Sequence, residues 1–141
     1  MPIHEFRTRR RVEFADTDAG GIVHFARFFV FMETAEHELL RSVGIVAHAT
    51  HDGRTIGWPR VAASCSYQSP ARYGDELDIE VSIRHKGRSS MTYGFRVLCG
   101  ERLVATGELK TVCCVMHEGG RLESIAMPAA LDGAVAALPS P

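Results

Sequence analysis

Glu13-Phe14-Ala15-Asp16-Thr17-Asp18-Ala19-Gly20-Gly21-Ile22-Val23-His24-Phe25 decides how the rest of the chain is read. This stretch leaves a segment with strand character, passes two carboxylates and two glycines, and enters the longest helical pattern in the sequence. From Ile22 to about Val43 the large apolar residues Phe25, Phe28, Phe29, Met32, Leu39, Leu40 and Val43 recur largely at three- and four-residue steps. That spacing predicts a helix with one wide apolar stripe. Neither proline nor glycine interrupts it, and Gly44 supplies a natural stop. At 1.5 Å per residue the helix would be about 30 Å long and would need a broad apolar partner.

The remainder of the chain offers a sheet. Arg60 to Gln68, Leu77 to His85, Met91 to Leu98 and Leu103 to Met116 carry strand character between turn signals. In the second of these, Leu77, Ile79, Val81 and Ile83 alternate with Asp78, Glu80, Ser82 and Arg84, the period of two of a strand with one wet face. Short turns between the last three predict an antiparallel meander, and an opening strand near Arg9 to Phe14 would make five. His48 to Gly57 reads as a loop, and the tail between Pro128 and Pro139 as a short helix. One long helix lying on one antiparallel sheet is an α+β architecture, expected here as a single domain over residues 1–141.

Composition narrows the function. The 141 residues, 45% of them hydrophobic, suit one domain with a real core. A net charge of -1, with both signs mixed along the chain, gives no broad pull toward nucleic acid. No run approaches a membrane span, and Met1 to Arg11 lacks the apolar stretch of a secretory signal, so a cytoplasmic protein is expected. Cys65, Cys99, Cys113 and Cys114 contain no C-x-x-C pattern. Adjacent Cys113 and Cys114 would face opposite sides of a strand, so free, buried thiols are the expectation.

Chemistry concentrates in the opening stretch. It places Asp18 beside the start of a helix, where free backbone N–H groups and the positive dipole end favour negative charge. The same N–H groups can hold an oxyanion developing on a substrate carbonyl. Gly20 and Gly21 let a ligand approach the backbone. Capping of the helix by Asp16, Thr17 or Asp18 would account for one acceptor, which leaves a carboxylate spare. The serines lack a G-x-S-x-G elbow, and His37, His48 and His51 share no metal-ligand spacing with a carboxylate, so no metal and no cofactor is called for.

The run Phe14 to Phe28, F-A-D-T-D-A-G-G-I-V-H-F-A-R-F, resembles the signature of the 4-hydroxybenzoyl-CoA thioesterase family of the hotdog superfamily. The resemblance continues through Glu33, through Ser69-Pro-Ala-Arg-Tyr-Gly-Asp75, and through Lys86-Gly-Arg-Ser-Ser90, in order, over about Arg9 to Met116. It implies a hotdog fold, in which a helix is wrapped by a curved antiparallel sheet of about five strands. It also implies copies paired edge to edge as a homodimer or homotetramer, and hydrolysis of an acyl-CoA thioester to free acid and CoA. By the same resemblance Asp18 is the nucleophile or general base, and the backbone N–H of Phe25 polarises the thioester carbonyl. His24 falls beside the acyl group, Glu33 toward the acyl pocket or a surface network with Arg27 or Arg41, and Gly21 beside the substrate. Arg84, Lys86, Arg88, Ser89 and Ser90 form the turn on the CoA side, whose positive charge suits a nucleotide diphosphate. Phe25 stands where several relatives carry histidine, which favours an Asp-plus-backbone mechanism, and Arg27 stands where many carry asparagine. The alternative within this fold is a protein that binds acyl-CoA or an acyl carrier without turnover; a hotdog dehydratase would want a His and carboxylate pairing on the helix.

Overall fold

The computed structural model describes residues 2–139, so the outermost positions of the expected 1–141 domain lie outside the described residues. In chain order the elements are β1 (Glu5–Arg11), α1 (Arg27–Ser42), β2 (Ala49–His51), β3 (Arg54–Gly57), β4 (Arg60–Tyr67), β5 (Glu76–Lys86), β6 (Ser90–Cys99), β7 (Arg102–Val112), β8 (Cys114–Met116), β9 (Leu122–Ser124) and α2 (Ala129–Ala134). A short 3-10 turn, Phe14–Asp16, follows β1. The main sheet has five antiparallel strands in the order β1-β5-β6-β7-β4.

The meander β5-β6-β7 forms as its alternation predicts, because every second residue of β5 and β6 is apolar and turns inward. Leu77, Ile79, Val81 and Ile83 face Met91, Tyr93, Phe95 and Val97 in one continuous core. Onto that face α1 lays Phe28, Phe31, Met32, Ala35, Leu39 and Leu40, all buried. Full burial of each larger side chain stabilises by about 2 kcal/mol. Gly107 of β7 lets the helix come this close: a Cβ there would stand 2.3 Å from Met32 Sδ and 2.9 Å from the Ser64 carbonyl.

Four boundaries differ from the sequence expectation. The segment Leu103 to Met116 divides at Cys113, whose N–H goes to the Ser89 carbonyl while its own carbonyl accepts from Ile125. Past that switch, β8 joins a second sheet, β2-β3-β8-β9. Part of the expected loop at His48 to Gly57 is therefore a hairpin, β2-β3, lying against β8. The opening strand lies earlier, at Glu5–Arg11, because Phe14–Asp16 is drawn into its tight turn by Asp16 N–H bonding to the Glu13 carbonyl. The helix begins at Arg27 and not at Ile22, for reasons that belong to the site. The expected tail helix is present as α2.

Cys113 and Cys114 are buried free thiols as expected, whereas Cys65 and Cys99 are half-buried. No helix among the described residues is long and apolar enough to cross a membrane.

Candidate active site

Between β1 and α1 the chain folds back on itself. Asp18 N–H bonds to the Ile22 carbonyl at 2.9 Å, and Gly21 N–H to the Asp18 carbonyl at 3.0 Å. Gly21 closes this turn at φ +80°, a conformation that strains any other residue. The Asp18 carboxylate is exposed, and its Oδ1 accepts the Gly20 N–H at 2.8 Å.

Asp16, two residues earlier, has the opposite surroundings. Only 1% exposed, it accepts the Glu13 N–H at 2.8 Å and two bonds from the Arg27 guanidinium at 2.9 and 2.7 Å, with Arg10 3.8 Å away. This charge-assisted fork ties the loop to the first residue of α1. Arg27 is therefore a strut and does not join Glu33.

The helix starts late because the backbone of residues 22–25 is committed elsewhere. Val23 N–H bonds to the Ala71 carbonyl at 2.8 Å, and His24 N–H to the Asp16 carbonyl at 2.8 Å. The Phe25 carbonyl accepts the Tyr67 hydroxyl at 2.9 Å. Among the described residues no group accepts the N–H of Phe25. Asp18 thus stands nine residues ahead of α1, farther from the helix start than a helix beginning at Ile22 would put it, yet it shares one open cleft with Phe25. That cleft, about 430 Å³, is also lined by Val23, Phe28, Tyr67 and Gln68. Its size suits a small acyl group.

Of the other expected site residues, His24 is exposed and lies tilted at 55° against the Phe25 ring, with centroids 4.7 Å apart, and is not among the residues lining the cleft. Glu33 pairs with Arg60 at 3.1 Å, not with Arg27 or Arg41. Arg60 also holds the fully buried Glu36 at 2.9 Å. These two residues carry a polar cluster that the sequence reading passed over. Its only signal was an acid on the apolar stripe, four residues after Met32 and four before Leu40.

The turn after β5 lies at the far end of the sheet from Asp18. Ile22 bridges Arg72 just before β5, and the strand then runs eleven residues, about 36 Å, away from the site. Lys86 is engaged within the chain: its ammonium donates to the Asp132 and Val135 carbonyls at 2.9 and 3.2 Å and pairs with the Asp132 carboxylate. Arg84 lies against Gly94, where a Cβ would meet its Nε at 2.3 Å, beside a 640 Å³ groove on the outer face of the sheet. Arg88 is exposed, while Ser89 receives the Ser124 hydroxyl at 3.3 Å.

Comparison with known proteins settles the family. A model of the thioesterase-like superfamily matches residues 12–137. The chain belongs to this superfamily. An Escherichia coli acyl-CoA thioester hydrolase, YbgC, is 32% identical over 114 residues, covering 77% of this chain and 81% of that protein. A 1,4-dihydroxy-2-naphthoyl-CoA hydrolase of Synechococcus sp. strain CC9605 is 32% identical over 108 residues, 73% of this chain and 72% of the relative. The fold is likewise similar to that of the 4-hydroxybenzoyl CoA thioesterase of Pseudomonas sp. strain CBS-3, with a TM-score of 0.78 at 23% identity over 93% of this chain and 99% of that one. The α+β hotdog architecture expected from the sequence is the architecture of this superfamily member.

Proposed function

We propose that this thioesterase hydrolyses an acyl-CoA thioester to the free acid and CoA, with Asp18 as the reacting carboxylate. One observation carries the reading: Asp18 and Phe25 line the same 430 Å³ cleft, and the Phe25 N–H has no acceptor among the described residues. The Gly20 N–H takes one carboxylate oxygen and leaves lone pairs on the other to meet a carbonyl carbon or a water. As nucleophile, Asp18 forms a mixed anhydride with loss of CoA thiolate, and water then releases the acid; as general base, it takes a proton from the attacking water. In both routes negative charge grows on the thioester oxygen, and the Phe25 N–H supplies the donor.

The CoA end is proposed to come from a second copy. Strand β4 forms one edge of the main sheet with Val61 57% and Tyr67 46% exposed, a bare edge that a partner strand would satisfy. Pairing two copies antiparallel through β4 sets the Arg60 end of one against the Tyr67 end of the other. The Arg88-Ser89-Ser90 turn, which adjoins the Arg60 end through the Ser90 and Val112 pairing and the Val112 bond to Pro59, then approaches the neighbour's Asp18 cleft. A homodimer is the minimal active unit in this reading.

Thiol release measured over a panel of aromatic and aliphatic acyl-CoAs tests the proposal. Turnover of at least one is expected, and it should be lost in Asp18→Asn. A protein that binds these thioesters and hydrolyses none of them would overturn it.

A further inference from the structure

Tyr67 lines the cleft without a role in the chemistry described so far, and its hydroxyl reaches from the edge strand to the approach to α1. It donates to the Phe25 carbonyl at 2.9 Å, and its ring packs edge-on against Phe28 with centroids 5.5 Å apart. In an uninterrupted helix the Phe25 carbonyl would accept the N–H of Phe29. Here Phe29 N–H turns instead to the Ala26 carbonyl at 3.2 Å, one residue nearer. The hydroxyl thus holds the Phe25–Ala26 peptide outside the helical ladder. Through the Phe25 Cα, it adds to the restraint on the preceding peptide, whose carbonyl accepts the Arg27 N–H at 2.9 Å and whose N–H has no acceptor among the described residues; Phe25 itself lines the cleft. Desolvation, with a smaller contribution from Cys65, pushes the Tyr67 hydroxyl above its usual range, so it keeps its proton and remains the donor.

We infer that Tyr67 is a positioning residue for the thioesterase reaction: its bond to the Phe25 carbonyl aims the Phe25 N–H at the thioester oxygen. The inference rests on the proposed role of the Phe25 N–H and adds the residue that orients it. Although Tyr67 lines the cleft, its hydroxyl is engaged by the Phe25 carbonyl and acts through the backbone, so loss of that hydroxyl bears on the step in which charge develops and not on capture of CoA.

The test is Tyr67→Phe, which keeps the ring against Phe28 and removes only the hydroxyl. On an acyl-CoA that the wild type turns over, kcat should fall about tenfold with KM little changed, the signature of a weakened oxyanion contact. A second readout needs no turnover. In the Asp18→Asn background, infrared difference spectroscopy of a bound thioester reports polarisation of its carbonyl. That band should lie below its position in free solution, and adding Tyr67→Phe should move it back toward the free value. The band is read only from folded, ligand-bound protein, so a poor yield of the variant does not obscure it. An unchanged kcat with an unmoved band would overturn the inference while leaving the thioesterase reading intact, as would a rise in KM alone. Absence of hydrolysis by the wild type would instead remove the functional reading, and this inference with it.

Discussion

Ahead of α1 and in its middle, the chain sets carboxylates near arginines with opposite results. Asp18 is exposed and holds a single N–H, because Asp16, two residues away, has taken both Arg27 and the neighbouring backbone donor. In mid-helix Glu36 is fully buried, its Oε2 on Arg60 and its Oε1 without a partner. Burial pushes Glu36 up to about 7, against the opposing charge and hydrogen bond of Arg60 and with a small push from Glu33. The difference teaches that a carboxylate becomes available for chemistry when another residue satisfies the local arginine. Arg60 is shared between exposed Glu33 and buried Glu36, and it is the buried acid that is locked into structure.

Breaking the mid-helix pair should have the largest effect. Arg60→Ala strands Glu36 in the core and should lower unfolding free energy by about 3 kcal/mol, read from denaturant midpoints. A loss below about 1 kcal/mol would mean that the cluster is slack.

The same pair has a pH signature. Glu36 binds its proton more tightly folded, near 7, than at its ordinary 4.5. Its contribution to stability is therefore complete below about pH 4.5 and declines as pH rises to about 7, by an amount on the order of 3 kcal/mol. Wild-type stability relative to Glu36→Gln should fall across that window; a pH-independent difference would contradict it.

At the other pole, Asp18→Asn keeps size and most hydrogen-bonding capacity while removing the base or nucleophile. Turnover should drop at least about a hundredfold, equivalent to about 2.7 kcal/mol, with the melting temperature nearly unchanged. Near wild-type turnover would end the distinction between the two regions. Asp16→Asn should do the converse and cost about 1.5 kcal/mol of stability by weakening the Arg27 fork. Smallest of all, Arg88→Ala should raise KM for a CoA thioester a few-fold, with the gap narrowing as salt is added. It should leave a pantetheine thioester unaffected, and equal sensitivity of both substrates would place the nucleotide elsewhere.

Much of this molecule is legible from local pattern. The alternation in β5, the short turns of the meander and the apolar stripe of α1 each depend on neighbours within a few residues, and each forms within the span the pattern marks, although α1 starts five residues later than the stripe does. Glu36 was less visible, since an acid on an apolar stripe announces itself only once its partner, Arg60, is known to lie across from it. Tyr67 gave no signal at all: an aromatic residue at a strand end is ordinary until its hydroxyl is seen on the Phe25 carbonyl.

What the sequence alone determined, then, is the long helix, the five strands of the main sheet and the family, because periodicity and the D-T-D-A-G-G motif are properties of contiguous residues. Tertiary structure decided where α1 starts, since Ile22, Val23 and Phe25 fit the helical period equally well. Their backbone is diverted by Asp18, Ala71 and Tyr67, the last two far along the chain. It also decided which of two near-identical aspartates is open, and that Lys86 reaches across to α2. Those outcomes depend on which distant donor reaches a group first, and a hydrogen bond between segments leaves no periodic trace in either of them.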